Sequence, residues 1–382
     1  MKPTLNPLLG RLEGYMQEAM NRTRDAAVAR GGKVYDFGIG DPREPTPEFI
    51  RAALRAAVPE VSQYPSVVGI LPLREAIAGY LQRRFALTVD PQTEIMPCAG
   101  AKEALFHLPL AALDPARPLC WYPDPAYPVY ERAILFCRGE PRTLALLEEN
   151  AFLPDLDSVT AVEWRRTSLV FDCYPHNPTG AGATRAHHEK LFSLAKEHGF
   201  LVVCDEPYVD LYSGAPPHTG LAIARQVAPD NVLVIHSLSK RSGMTGYRSG
   251  FVAGSAGLIA TLREARANFG VAPPAFVQAA AVVAWSDDAH VAERRAVFAG
   301  KRALLLDHVR ALGLQCTGAG AFYLWVRVPP GETSASYTAR LAEKNILAAP
   351  GTFFGKAGEG YFRLAMVPTL ADCREAIERW PG

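Results

Sequence analysis

Short apolar runs that end directly in polar residues recur along the middle of the chain. Residues 167–171, 200–204 and 232–235 form such runs, and each is of a length typical of a buried strand. Helical segments alternate with these runs as far as residue 240. This alternation predicts a mostly parallel sheet with helices on both faces, which binds its ligands outside the carboxyl ends of the strands.

The run 232–235 leads into a segment rich in hydroxyl groups and cations. Lys240 lies just beyond the predicted strand end, with Ser237 and Ser239 before it and Arg248 eight residues after it. The pattern fits a site for an aldehyde cofactor with a phosphate: Lys240 would bond the aldehyde, while the serines and arginine would hold the phosphate. A guanidinium neighbour and a desolvated pocket both lower the pKa of a lysine. Taken alone, the pattern also fits a solvated lysine in a polar turn.

Two further strand ends carry side chains that suit the same cofactor. The run 200–204 ends directly in Asp205, which can pair with a protonated pyridine nitrogen. Tyr208 follows three residues later and can hydrogen-bond the phenolic oxygen of the ring. The turn 177–180 follows the first run and can present the Asn177 amide to that same oxygen. The three strand ends are therefore predicted to converge on one ring.

The segment from residue 94 reads as a strand that passes through small residues into a helix. Gly100, Ala101 and Lys102 fall at the helix start, where free backbone N–H groups and the helix dipole form an anion site. This site is predicted to seat the phosphate, with Lys102 contributing through its backbone. The Gly-x-Gly-x-x-Gly fingerprint is absent, which disfavours a nicotinamide cofactor.

In their order and spacing, these motifs resemble the class I aminotransferases of fold type I, which use pyridoxal 5′-phosphate. The resemblance extends over nearly the whole chain. It implies an α/β fold: a large domain with a mostly parallel seven-stranded sheet between helices, plus a smaller α/β domain. The implied division is residues 1–45 for an N-terminal arm and part of the small domain, 46–275 for the large cofactor-binding domain, and 276–382 for the small C-terminal domain.

The resemblance also implies substrate-binding residues. Gly40 would lie on the carboxylate side of the substrate, together with Asn177, and Tyr15 would reach the substrate. Arg363 would form a bidentate contact with the α-carboxylate. Independently of the family, an arginine in the apolar strand predicted at residues 361–366 needs an anion. Tyr15 has a simpler alternative as a packing residue of an amphipathic helix.

Two aromatic residues complete the implied cofactor site. Tyr127 would stack on the pyridine face. Tyr64 would cross to a neighbouring subunit and donate to its cofactor phosphate, which implies a homodimer with shared active sites. Read without the family, Tyr64 is an exposed aromatic residue in a turn.

The implied reaction is transfer of an amino group between an amino acid and a 2-oxo acid, with 2-oxoglutarate and glutamate as the expected pair. Several short segments are similar to the succinyldiaminopimelate aminotransferases of lysine biosynthesis, namely 164–167, 237–242, 248–251, 278–280, 284–285, 288–291 and 320–325. Segments 173–177 and 268–276 depart from that subgroup. An aminotransferase that acts on diaminopimelate, aspartate or alanine therefore remains an alternative, and so does a carbon–sulfur lyase. A distal substrate carboxylate needs another cation, for which the candidates are Arg22, Arg24, Arg43 and Arg266.

Composition and charge indicate which partners and which compartment to expect for the protein. The 382 residues are 49% hydrophobic and have a net charge of +1, so a large core is expected and neither nucleic acid nor a membrane surface is indicated as a partner. Seven cysteines lack a Cys-x-x-Cys pair, which argues against a metal site or a disulfide framework. The chain begins without an apolar leader and has no apolar run of about 20 residues, so a cytoplasmic enzyme is predicted.

Overall fold

The computed structural model describes residues 6–11, 16–317 and 322–381. The helices in these ranges are α1 (Met16–Ala29), α2 (Glu48–Ala56), α3 (Leu71–Phe85), α4 (Ala101–Ala112), α5 (Val129–Phe136), α6 (Ala161–Arg165), α7 (Arg185–His198), α8 (Gly220–Val227), α9 (Leu238–Arg241), α10 (Ala256–Arg266), α11 (Ala275–Ser286), α12 (Ala289–Ala311), α13 (Ser334–Glu343) and α14 (Leu370–Glu378). The strands are β1 (Tyr35–Asp36), β2 (Ile95–Cys98), β3 (Leu119–Asp124), β4 (Glu140–Ala145), β5 (Thr167–Cys173), β6 (Leu201–Asp205), β7 (Val232–Ser237), β8 (Gly250–Ala253), β9 (Cys316–Thr317), β10 (Tyr323–Arg327), β11 (Ile346–Leu347), β12 (Ala349–Pro350) and β13 (Tyr361–Ala365). None of these helices is long and apolar enough to cross a membrane.

A seven-stranded sheet forms the centre of the molecule, in the order β2-β8-β7-β6-β5-β3-β4. Strands β7, β6, β5, β3 and β4 pair in parallel, whereas β8 pairs antiparallel with both of its neighbours. The predicted fold class, with a mostly parallel seven-stranded sheet between helices, is confirmed. The predicted strand runs are found as β5, β6 and β7, each extended by one or two residues at its carboxyl end.

Both faces of this sheet are buried, because successive side chains of a strand point to opposite faces. In β6, Val202 and Cys204 pack into one apolar cluster together with residues of α3, α7, α8 and α11. Val203, between them, packs into a second cluster with residues of α4, α5 and α10. Continuous apolar runs, rather than alternating ones, are what such a two-sided environment requires.

A smaller antiparallel sheet, in the order β12-β13-β10-β9, is formed by the C-terminal part of the chain. The N-terminal strand β1 pairs in parallel with β11, so residues near the start of the chain join the C-terminal part. Apolar residues of β10, β13, α12 and α14 share one cluster with those of β1. The domain limits at residues 45 and 275 stay predictions.

The apolar spacing of residues 275–312 predicts one long helical region, but the structure divides it into two helices, α11 and α12. They are separated at Asp287, whose carboxylate accepts hydrogen bonds from the His290 backbone N–H (3.0 Å) and from the His290 ring (2.6 Å). An acceptor at this position satisfies an N–H group that is free at the start of α12. The break therefore follows from local capping, which the apolar spacing of the sequence did not reveal.

Candidate active site

The parallel strands bring the predicted residues to one edge of the central sheet. Asp205 is the last residue of β6, Ser237 is the last residue of β7, and Asn177 follows β5 by four residues. Lys240, predicted just beyond the strand end, is in the one-turn helix α9 that follows β7 directly. The Ser237 hydroxyl accepts a hydrogen bond from the Ser239 N–H (3.1 Å) and so caps this turn.

Asp205 has one satisfied and one unsatisfied carboxylate oxygen. The side chain is buried, and its Oδ2 accepts a hydrogen bond from the Tyr130 hydroxyl (2.7 Å). Oδ1 is also buried but has no partner among the described residues. Burial raises the pKa of Asp205 to about 7, although the Tyr130 hydrogen bond acts in the opposite direction. A buried oxygen without a donor is the feature expected where a protonated ring nitrogen binds.

From the sequence alone, Tyr130 would be interpreted as a packing residue. It does pack, since its ring stacks on Phe171 with centroids 4.8 Å apart. Its hydroxyl nevertheless makes the only described hydrogen bond to Asp205. Tyr130 lies six residues from the end of β3, so only the tertiary structure brings it to β6.

Lys240 is partly buried and close to several cations. Its Nζ donates a hydrogen bond to the Gly40 carbonyl oxygen. The pKa of Lys240 is lowered to about 8, chiefly by burial, while Arg363 and Arg248 also lower it and Asp41 opposes them. The amine is therefore neutral, and nucleophilic, at a much lower pH than an exposed lysine. The predicted effect of Arg248 is present, but burial and Arg363 have larger effects.

Arg363 is buried in β13 with only neutral oxygens as hydrogen-bond partners. Its Nη1 donates to Asn177 Oδ1 (2.8 Å), and its Nη2 donates to the Gly38 carbonyl oxygen (2.7 Å). Nε is buried and has no partner in the described structure. A buried guanidinium without a carboxylate partner favours an anionic ligand. Asn177 and Arg363, both predicted to contact the substrate, are thus in direct contact.

Tyr323, on β10, is a site residue that the sequence interpretation did not single out. Its hydroxyl lies 2.9 Å from that of Tyr208, and its ring lies 4.3 Å from the Arg363 guanidinium carbon. A Cβ built on Gly40 would lie 2.5 Å from the Tyr323 hydroxyl, so this close approach requires glycine. Tyr323 therefore contacts three predicted site residues. In the sequence, the alternating pattern of residues 320–327 predicts a strand that contains Tyr323. The pattern does not show that this strand pairs with β13, which carries Arg363.

The predicted phosphate site lies where α4 begins. Gly100 precedes the helix with a positive φ of 82°, and no described side chain caps the first turn. A Cβ on Gly100 would lie 2.6 Å from Arg248 Nη2, so the arginine packs against the bare glycine backbone. Strand pairing places both Cys98 and Ser237 opposite Gly250. The backbone N–H groups at the start of α4, a hydroxyl and a guanidinium thus lie together, which is an arrangement suited to a phosphate.

The remaining predicted residues are placed as follows. Ala101 and Lys102 are in the first turn of α4, with Lys102 exposed. Tyr127 is partly buried, and its ring meets that of Tyr130 edge to face at 6.1 Å. Tyr64 is fully exposed in the loop between α2 and α3. Tyr15 lies outside the described residues. The individual roles of all these residues stay predictions.

The four arginines considered for a distal carboxylate are in different environments. Arg266 is buried, and its Nη1 donates to both carboxylate oxygens of Glu103 (3.0 and 2.9 Å). Arg24 lies 3.7 Å from the neighbouring Asp25. Arg22 and Arg43 are exposed. Their positions do not single out one of them as the ligand of a second carboxylate.

The fold and site together define a class of protein. The unsatisfied Asp205 oxygen fits a protonated pyridine nitrogen, Lys240 fits an aldehyde, and the start of α4 with Arg248 fits a phosphate. These are the groups of pyridoxal 5′-phosphate, and the central sheet is that of the fold-type I enzymes that use it.

Comparison with known proteins agrees with this class. Residues 32–379 match the family model for aminotransferase class I and II. The chain is 37% identical over 381 residues to the LL-diaminopimelate aminotransferase of Oleidesulfovibrio alaskensis, covering 98% of each chain. An aminotransferase from Neisseria meningitidis is similar in structure (TM-score 0.90, 34% identity, 98% of each chain). So is a probable N-succinyldiaminopimelate aminotransferase from Thermus thermophilus (TM-score 0.88, 30% identity, 95% of this chain and 98% of that one).

The chain therefore belongs to the class I and II aminotransferase family. Its cofactor is pyridoxal 5′-phosphate, and its substrates are small molecules.

The pKa of Lys240 predicts how cofactor binding depends on pH. In cofactor-free protein, the rate of pyridoxal phosphate attachment should rise with pH and be half-maximal near pH 8, because the neutral amine reacts and its pKa is about 8. Stopped-flow measurement of the visible absorbance checks this. Arg363→Gln should move the midpoint upward, because Arg363 lowers this pKa. A wild-type midpoint near the ordinary lysine value of 10.5 would contradict the prediction.

Replacing Tyr130 tests its contact with Asp205. Tyr130→Phe keeps the ring but leaves the buried carboxylate without its described donor, at a cost of about 1.5–3 kcal/mol for a hydrogen bond to a charged group. The dissociation constant of the cofactor, measured by absorbance titration, should rise about tenfold or more. Tyr122→Phe is the control, because Tyr122 is a partly buried tyrosine that hydrogen-bonds Glu131 instead. Equal affinities in the two variants would disprove the role of Tyr130.

Proposed function

We propose that this aminotransferase moves an amino group between LL-diaminopimelate and a 2-oxo acid, with 2-oxoglutarate as the partner. The main support for an amino-acid substrate is Arg363, which is buried beside Lys240 with only neutral oxygens as hydrogen-bond partners. The names of the similar proteins support diaminopimelate as the amino acid.

The proposed roles follow from the contacts of each residue. Arg363 and Asn177 hold the α-carboxylate, since their side chains are already in contact (2.8 Å). Asp205 accepts a hydrogen bond from the protonated ring nitrogen through its unsatisfied oxygen. Tyr208 donates to the phenolic oxygen and is held by Tyr323 (2.9 Å).

Lys240 is the proposed proton carrier. Pyridoxal phosphate, when bound, supplies a ring that accepts electrons from the substrate Cα. Lys240 would hold the cofactor aldehyde in the resting enzyme, and as a free amine it would remove the proton from the substrate Cα and carry it towards C4′ of the cofactor. A pKa of about 8 keeps both protonation states of this amine accessible near neutral pH.

The sequence segments favoured N-succinyl-diaminopimelate as the substrate, whereas the similar curated proteins favour unmodified LL-diaminopimelate. The similar Thermus thermophilus structure, described as a probable N-succinyldiaminopimelate aminotransferase, keeps the acylated substrate as a second candidate. The two candidates differ in whether the distal amino group is charged, so they are separable with purified protein.

A donor screen with 2-oxoglutarate as acceptor tests the substrate. Glutamate formation would be measured with LL-diaminopimelate, N-succinyl-LL-diaminopimelate, aspartate and alanine. We expect kcat/KM for LL-diaminopimelate to exceed the others by about tenfold or more, which corresponds to about 1.4 kcal/mol. Lys240→Ala should abolish the activity, whereas Lys190→Ala, on the surface of α7, should not change it.

Three results would overturn parts of this proposal. A preference for the N-succinyl donor would show that the assigned substrate is wrong but would leave the assigned aminotransferase reaction unchanged. Release of pyruvate and ammonia from cystathionine, without glutamate formation, would favour the carbon–sulfur lyase. Full activity in Lys240→Ala would show that Lys240 is not the proton carrier.

We further propose that the enzyme is a homodimer in which Tyr64 contributes to the partner's site. Tyr64 is fully exposed in this chain, and Val58 and Val61, also exposed, lie close to it in sequence. Exposed apolar residues of this kind favour a protein interface. Tyr64 would then donate to the cofactor phosphate of the other subunit.

Hybrid dimers test whether Tyr64 acts between subunits. Tyr64→Ala and Lys240→Ala chains, each impaired alone, would be co-expressed with different affinity tags. If Tyr64 serves the partner, each hybrid regains one intact site, so random pairing restores about a quarter of wild-type activity. Sedimentation measures the oligomeric state. Monomers, or hybrids no more active than the parent proteins, would contradict the proposal.

A further inference from the structure

A cluster of histidines surrounds a buried aspartate on the sheet face opposite Asp205. Asp172 is the residue before the end of β5 and is 4% exposed. Its side chain points away from the face occupied by Cys173 and Tyr130, because side chains alternate along a strand. His187 and His188, in the first turn of α7, approach Asp172 from the helix layer that covers this face of the sheet. Both are buried.

The three side chains converge on one point. The Nε2 atoms of His187 and His188 lie 3.0 Å from Asp172 Oδ1 and Oδ2 respectively. All three ligand atoms lie within 4.8 Å of one another. In a tetrahedral site with bonds of 2.0–2.1 Å, neighbouring ligand atoms are about 3.3 Å apart. The two histidine–aspartate separations are therefore close to those that a coordinated ion requires.

The charge of Asp172 gives a second reason to expect a cation. Asp172 is buried, and a carboxylate in such a place needs a cationic partner. Its ion-pair partners in the described structure are these histidines, with no lysine or arginine. Buried charges are normally paired or coordinate a metal.

A second shell of the kind found around metal ligands is also present. His188 Nδ1 lies 2.8 Å from His218 Nε2. A ligating histidine usually donates its other ring N–H to such an acceptor, which fixes the ring. His218 is only partly buried, so the cluster is connected to the surface. The Thr184 hydroxyl accepts a hydrogen bond from the His187 N–H (3.1 Å) and fixes the start of α7.

We propose that Asp172, His187 and His188 bind one divalent transition-metal ion, with Zn²⁺ the best match to two imidazoles and a carboxylate. The second carboxylate oxygen or a water completes the coordination. The ion joins β5 to α7 on the face away from the cofactor, so its role is structural. The sequence predicted no metal site because it has no paired cysteines, whereas these ligands are an aspartate and two histidines.

The alternative is a hydrogen-bonded cluster, in which each Nε2–H donates to the carboxylate and no metal binds. Purified holoenzyme would be treated with a chelator, incubated with Zn²⁺, dialysed, and analysed for metal by mass spectrometry. We expect about one Zn²⁺ per chain, and a large loss of Zn²⁺ in Asp172→Asn and His188→Gln. His198→Gln, at the other end of α7, is the matched control and should keep the metal.

Two further measurements keep the test decisive if a variant is unstable. The visible absorbance of bound cofactor reports folding of each variant. Co²⁺ in place of Zn²⁺ should give wild-type protein an intense visible spectrum typical of low-coordinate cobalt, which His187→Gln should lack. Wild-type protein without bound Zn²⁺, or equal Zn²⁺ in folded His188→Gln and wild type, would overturn the proposal in favour of the hydrogen-bonded cluster.

Discussion

The structure depends on the parallel arrangement of β5, β6 and β7, whose carboxyl ends must meet at one edge of the sheet. That constraint places Asp205 and the turn containing Lys240 side by side, although 35 residues separate them in the sequence. Burial on both faces of the sheet then removes water from these ends. The same burial raises the pKa of Asp205 and lowers that of Lys240, because burial disfavours the charged form of both side chains.

The second constraint is the approach of the smaller sheet to this edge. Arg363 on β13 and Tyr323 on β10 reach Asn177 and Tyr208 of the central part of the chain. The guanidinium has no carboxylate partner there, which makes the site suitable for a substrate carboxylate. Its positive charge also lowers the pKa of Lys240. Binding of an anionic substrate would reduce that effect, so carboxylate recognition and the basicity of the lysine are coupled.

The two faces of the central sheet serve different purposes. The face that carries Asp205 and Tyr130 leads to the proposed cofactor site, and the face that carries Asp172 holds the histidine cluster. Alternation along β5 and β6 is sufficient to separate them. A metal on the second face would stabilise the connection of β5 to α7 without contacting the cofactor.

The sequence alone determined the fold class, the cofactor and the identity of the residues at the strand ends, because buried strands leave continuous apolar runs and the motifs follow them directly. It did not reveal Tyr130, Tyr323 or the cluster around Asp172. Each of these contacts joins segments that are distant in the chain and depends on helix packing or on the pairing of a strand. Local spacing contains no information about such contacts, so only the tertiary structure decided them.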